Sequence, residues 1–279
     1  MEVQPLAGTI GARIAGIDLS ADLSNSEAAD IHAAFLAHKV LVFDGPILSP
    51  EQQIRAARVF GDLDIYPYVK GMDGFPEIIE ILKTETDVVN FGGGWHSDTA
   101  YMPNPAMGTF LHAIEMPPAG GDTLFANTVA AYEALSDSMK ALLAPLQGVN
   151  DSNAIYAGGR AASMKRMDGM AKTDKTQGAE AYVNEHPVVR THPETGQRAL
   201  YVNPAHTKRF VGMTEEESQP LIRFLCEHTV RPEFTCRVRW KPGTVTVWDN
   251  RVTQHCALND YHGHRRLMRR ITLKGDKPR

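Results

Sequence analysis

The chain has 279 residues, 43% of them hydrophobic and 22% charged, and a formal net charge of −4. That balance is ordinary for a globular protein in water and excludes the strongly basic surface that a nucleic-acid partner requires. No apolar run approaches the roughly 18 residues needed to span a bilayer. The opening MEVQPLAGTIGARIAG has neither the basic start nor the apolar centre of a secretory leader. Cys226, Cys236 and Cys256 form neither a CxxC pair nor an even disulfide framework. The expectation is a cytoplasmic protein with reduced cysteines and no nucleic-acid or membrane partner.

In chain order, GTIGARIAGIDL mixes β-branched residues with glycines and predicts a short hairpin within residues 8–19. Ile31, Phe35 and Leu36 have helical spacing, which predicts a helix over 24–38. VLVF at 40–43 is a compact apolar strand. SPEQQIRAARVFG opens with Ser49 as N-cap, Pro50 in the first turn and Gln52 completing a capping box, so a helix spans 49–61 and stops at Gly61. EIIEIL (77–82), MGTFLHAIEM (107–116) and DTLFAN read as strands, and an amphipathic helix covers 128–143.

Residues 150–182 are polar with little periodicity and read as a long excursion, either a mobile lid or a disordered loop. A dense β region follows: HPVVRTH, RALYVN, a helix over 214–228 capped by Thr214 with Glu217, then FTCRVRW, TVTVWDN and RRLMRRITL. Strands dominate both halves. The fold class expected is mainly β with flanking helices, a double-stranded β-helix (jelly roll, cupin-like), forming one domain over 1–279.

The chemistry concentrates in WHSDTAY, directly after three glycines at 92–94. No lysine or helix follows those glycines as in a phosphate loop, so they are expected to let the backbone pass close to a site. His96 and Asp98 stand at i and i+2 and, in an extended segment, point the same way. A lone His-x-Asp is more often structural, so a third ligand decides the matter. Among 11 histidines the best candidate is His255, in WDNRVTQHCA. Two imidazoles and a carboxylate form a facial triad that leaves positions open on Fe(II), whereas a structural zinc site is closed. An α-keto acid bound there needs a cation for its far carboxylate. On the strand RRLMRRITL, Arg266, Met268 and Arg270 share one face while Arg265, Leu267 and Arg269 share the other. Arg266, eleven residues after His255, is the candidate cation. Trp95, Trp248 and Asp249 read as packing and support.

WHSDTAY, GGDTLF, HPVVRTHPETG, ALYVN, VTVWDNRVTQHCALNDY and RRLMRRITLKGDKP together resemble the taurine dioxygenase family of Fe(II)/2-oxoglutarate-dependent oxygenases. The resemblance implies that His96, Asp98 and His255 bind iron, and that Arg266, helped by Thr123, holds the distal carboxylate of 2-oxoglutarate. Arg270 matches the arginine that contacts the sulfonate in the taurine enzyme. It implies hydroxylation of a small anionic organic substrate by O2, with succinate and CO2 as co-products, and a homo-oligomer, dimer or tetramer. The taurine enzyme's substrate histidine falls on Tyr66, its tyrosine near Val69, its asparagine on Gly92 and a phenylalanine on His206. Those changes remove polar partners and predict a substrate larger and more apolar than taurine.

Other readings stay open: taurine dioxygenase proper, a halogenase or desaturase, a metal-free ligand-binding barrel or sensor, and a zinc hydrolase. Asp98 counts against a halogenase, and Arg266 is superfluous in a hydrolase.

Overall fold

The computed structural model describes residues 1–153, 169 and 182–279, and the lid or loop expected at 150–182 lies mostly outside them. The chain opens with an antiparallel hairpin of β1 (Glu2–Pro5) and β2 (Ala12–Ala15). This is earlier than the expected 8–19, because Gly8 to Gly11 make the turn, closed by Leu6 N–H on Gly11 O at 2.9 Å. Helix α1 (Asn25–His38) follows, with the Ser24 and Glu27 capping box. Strand β3 (Val40–Phe43) then runs parallel to β2. Helix α2 (Pro50–Ala57) has the box of Ser49 and Gln52, but single turns carry the chain on to Phe60.

Strands β4 (Leu63–Asp64), β5 (Gly71–Met72), β6 (Phe75–Lys83), β7 (Gly108–Glu115) and β8 (Thr123–Asn127) come next. The helix expected over 128–143 is two, α3 (Thr128–Glu133) and α4 (Asp137–Leu143). Ser136 causes the break: its hydroxyl accepts from Met139 N–H and starts a new helix. Beyond them lie β9 (Gln147–Asp151), β10 (Val183–Pro187), β11 (Val189–Thr191), β12 (Arg198–Leu200) and β13 (Thr207–Phe210). Helix α5 (Glu215–Thr229), β14 (Thr235–Val238), β15 (Val245–Asp249), β16 (Thr253–Ala257) and β17 (Arg266–Leu273) complete the chain.

Among the described residues the largest sheet runs β1-β2-β3-β15-β7-β17-β6-β5, with β4 beside β17, and a smaller one runs β14-β8-β16. Alternation divides the large sheet's side chains between two cores. Val40, Val42, Ile79, Ile81, Leu111 and Met268 turn inward, where Phe125 of β8 and Val238 of β14 meet them. Leu41, Phe43, Ile78, Phe110, Val247 and Ile271 turn outward against Phe35 of α1 and Ala57 of α2. Val40–Phe43 is apolar throughout because both faces are covered. The result is the jelly roll, with the site between its sheets.

Two buried polar groups contribute to the acid limit of this fold. Burial would raise the Asp249 carboxyl, but hydrogen bonds from His192 and from Arg251 outweigh it and hold the pKa at about 2. Arg251 grips that carboxylate through Nε at 2.8 Å and Nη2 at 2.7 Å, and reaches Glu194 at 2.6 Å. This clamp ties the end of β15 to the turn after β11.

His112 on β7 is fully buried and accepts from Leu48 N–H at 3.4 Å. Burial, with help from Arg269, lowers its pKa from 6.5 to about 4. The unfolded chain therefore takes up a proton at higher pH than the folded one. Stability is full above about pH 6.5 and is lost as pH falls towards 4, by roughly 3 kcal/mol at 1.36 kcal/mol per pKa unit. Denaturant titrations between pH 7 and 4 should show this decline, and His112→Gln should flatten it. An unchanged slope in that variant would mean that His112 is not the group responsible.

Candidate active site

The two candidate imidazoles are brought together by the backbone. His96 and His255 form an isolated antiparallel bridge, with His96 N–H on His255 O at 3.0 Å and His255 N–H on His96 O at 2.8 Å. Directly opposed residues project to the same side, and the ring centroids lie 4.2 Å apart. His255 sits within β16. Asp98 is not in an extended run with His96; it lies in a turn, and Thr99 behind it has φ 50, uncommon for a β-branched residue. That turn swings the carboxylate under the two rings. Asp98 Oδ1 is 3.7 Å from His96 Nε2 and 3.9 Å from His255 Nε2.

Each donor is aimed. His96 Nδ1 donates to Gly94 O at 2.7 Å, which makes Nε2 the unprotonated, ligating nitrogen. His255 Nδ1 has no such partner among the described residues, and rings fix this imidazole instead, Trp248 at 4.6 Å and Phe125 at 6.0 Å. Asp98 Oδ2 accepts from Thr109 Oγ1 at 2.7 Å and Asn250 Nδ2 at 3.2 Å, so Oδ1 is the oxygen turned to the imidazoles. Trp248 Nε1–H in turn holds Asn250 Oδ1 at 3.0 Å. One donor atom from each of the three residues falls within 4.8 Å of the others. Two neutral imidazoles and a carboxylate at that spacing fit a divalent transition metal.

The charges agree with that fit. Burial would raise the Asp98 carboxyl, yet the Arg270 guanidinium, helped by the Thr109 hydrogen bond, holds it well below the usual carboxylate range. Arg270 Nη2 lies 3.1 Å from Asp98 Oδ1. Burial, the neighbouring His96 and Arg270 drive the His255 imidazole well below its ordinary pKa, against the pull of Asp98, and keep it in the neutral, ligating form.

Of the alternating face expected on β17, Arg266, Met268 and Arg270 are buried, while Leu267 and Arg269 are half-buried and Arg265 is exposed. Thr123 is buried on β8, its hydroxyl accepting from Trp240 Nε1–H at 3.0 Å. Arg266 lies over the Tyr261 ring at 5.8 Å, and its Nε finds no hydrogen-bond partner among the described residues. Gly121, at φ +70, passes so close that a Cβ would stand 3.3 Å from Arg266 Nε and Cδ. A glycine is needed there to let the backbone past the guanidinium. Sequence reasoning missed Thr109, Asn250 and Lys83. Lys83 continues the inward alternation Ile79, Ile81 at the end of β6, and that was its only signal.

Tyr66, expected at the substrate, is buried with its ring 5.0 Å from the Arg270 guanidinium. Tyr68 meets it edge-on at 5.6 Å and Phe91 at 6.4 Å. Tyr101 adjoins Tyr68 and lies 4.9 Å from the His206 ring, which is itself 6.3 Å from His96. An aromatic wall therefore runs from Arg270 towards the triad. Gly92 does not simply open room: at φ +77, a Cβ there would lie 3.3 Å from His96 Cε1. Val69 is packed in the inner core.

A jelly roll with an open His-Asp-His set and buried arginines beside it is the plan of a non-haem Fe(II) oxygenase. The family described as "Taurine catabolism dioxygenase TauD, TfdA family" matches residues 2–272, and the chain belongs to it. The chain is 37% identical over 277 residues, 99% of its length and 86% of the relative, to an alkylsulfatase of Acinetobacter baylyi. It is 36% identical over 282 residues, 100% of the chain and 91% of the relative, to an alpha-ketoglutarate-dependent sulfate ester dioxygenase of Pseudomonas putida. Among solved structures it resembles a putative alpha-ketoglutarate-dependent taurine dioxygenase from Burkholderia xenovorans, with TM-score 0.84 and 37% identity over 99% of this chain and 93% of that one. The protein is a 2-oxoglutarate-dependent dioxygenase using Fe(II) and O2. Among the described residues no helix is long and apolar enough to cross a membrane.

Proposed function

We propose that this dioxygenase oxidises alkyl sulfate esters, cutting the C–O bond by hydroxylating the carbon that carries the sulfate. The observation that carries this is the meeting of the three donors within 4.8 Å beside two buried arginines on one strand face. In this reading His96, Asp98 and His255 hold the iron. Arg266 and Thr123 hold the distal carboxylate of 2-oxoglutarate, and Arg270 receives the substrate's anionic head. Bound Fe(II) and 2-oxoglutarate supply an oxidant from O2 strong enough to put one oxygen into a C–H bond and the other into succinate, with release of CO2.

The residues of the chain do the remaining work. Thr109 and Asn250 keep Asp98 Oδ1 facing the imidazoles. A metal cation would compete with Arg270 for Asp98, which would release the guanidinium for a sulfate oxygen. Tyr66, Tyr68, Phe91 and Tyr101 give an alkyl chain an apolar surface and exclude water. The hydroxylated carbon then carries both OH and sulfate; it expels sulfate and becomes an aldehyde. The two sulfate-ester relatives at 37% and 36% identity support this head group over a sulfonate.

Succinate release can be compared for hexyl sulfate, taurine and an aryloxypropionate. Hexyl sulfate should give the highest kcat/KM, since an aromatic wall gives an alkyl chain more contact than it gives taurine's short, charged body. Taurine exceeding it would overturn the substrate reading and leave the enzyme class intact.

A further inference from the structure

Lys83 stands where a lysine needs a reason. It is directly opposite Arg266 in the β6–β17 register and therefore on the same inward face. Its side chain is only 4% exposed, and its ammonium has no hydrogen-bond partner among the described residues. Its ammonium lies over the ring of Tyr261, at 4.6 Å. The same ring lies 5.8 Å from the guanidinium carbon of Arg266, whose Nε is also unpartnered. Like charges directly opposite one another weaken a sheet, and a buried ammonium without an acceptor is costly. Three carboxylates around that ring are otherwise engaged, Asp87 by Thr84 N–H at 2.7 Å, Asp122 by Arg237 at 2.6 Å and Asp260 by Gly121 N–H at 2.7 Å. Two buried cations that share one aromatic ring and have unused donors are arranged for an anion that enters from outside.

We propose that Lys83 is the second cation for the distal carboxylate of 2-oxoglutarate, and that together with Arg266 it makes the site selective for a 2-oxo diacid over a 2-oxo monoacid. The inference rests on the proposed role of Arg266. Arg266 presents a planar fork to the carboxylate and Lys83 adds a point charge beside it. A hydrogen bond to a charged group is worth enough that losing it weakens binding roughly 10- to 100-fold.

The test is calorimetric binding of 2-oxoglutarate and of 2-oxopentanoate, which lacks the distal carboxylate, to Mn(II)-loaded protein without turnover. Lys83→Met keeps length and removes charge. It should weaken 2-oxoglutarate binding at least tenfold and leave 2-oxopentanoate binding within about twofold. The ligand-free variant should melt no lower than the wild type, because an uncompensated buried charge has gone. The gain in Tm on adding 2-oxoglutarate should shrink. Arg266→Met is measured in parallel. If it loses 2-oxoglutarate while Lys83→Met binds as wild type does, or if Lys83→Met melts lower with its 2-oxoglutarate gain intact, Lys83 is a structural residue and the proposal falls. If Arg266→Met retains full affinity, the carboxylate lies elsewhere, and the reading of Arg266 fails before that of Lys83.

Discussion

Replacing Asp98 by alanine should abolish succinate formation and at the same time destabilise the protein. The carboxylate is the hub of the site: both imidazoles face Oδ1, Thr109 and Asn250 hold Oδ2, and Arg270 lies 3.1 Å away. Loss of a residue that merely supports a metal ligand costs about 10- to 100-fold in affinity or activity, so loss of the ligand itself should cost more. Thr109→Val and Asn250→Ala should fall within that smaller range. The sequence alone suggests that any of the three ligand positions can be emptied without harm to the fold. The structure separates them. Removing one partner of a buried ion pair costs about 3–5 kcal/mol because the other charge is stranded, and Asp98→Ala strands Arg270. His96→Ala leaves that pair in place and should lose turnover with its Tm nearly unchanged. Thermal melts of the two metal-free variants check the contrast; equal melting points would mean that the pair contributes little.

Arg266→Ala should raise the 2-oxoglutarate requirement by about 10²–10³-fold, the equivalent of 3–5 kcal/mol for a buried cation taken from its carboxylate. Its neighbours give the control. Arg265 is exposed and paired with Glu115 at 2.6 Å, and Arg269 is half-buried and paired with Glu80 at 3.3 Å. Exposed pairs of this kind contribute about 0–1 kcal/mol, so alanine at either position should leave the apparent KM for 2-oxoglutarate within a few-fold. Equal effects at all three positions would show that the inward face of β17 has no special part in binding the co-substrate.

Periodicity revealed most of the sheet. VLVF, EIIEIL and RRLMRRITL were legible because covered faces leave alternating or continuous apolar patterns. The alternation on β17 also separated Arg266 and Arg270 from Arg265 and Arg269. Strands β9, β13 and β16 were not legible. QGVND and TQHCA are short and polar, and their pairing is set by strands distant in sequence. The same limit hid the most informative feature of the site. His96 and His255 were readable as ligands, but their bridge across 159 positions leaves no local trace. Asn250 was visible only as part of a motif; that its amide would hold a carboxylate from residue 98 depends on a contact across the fold. Lys83 lies one residue past the strand expected at 77–82, and only the pairing across the sheet sets it opposite Arg266.

The central claim is that sulfate leaves because 2-oxoglutarate is oxidised, and one measurement reads both. With hexyl sulfate, 2-oxoglutarate, O2 and Fe(II), the purified protein should release sulfate and succinate in equal amounts, and neither should form without Fe(II) or with the His96→Ala variant. Sulfate released without 2-oxoglutarate consumption would make the protein a hydrolase and contradict the account.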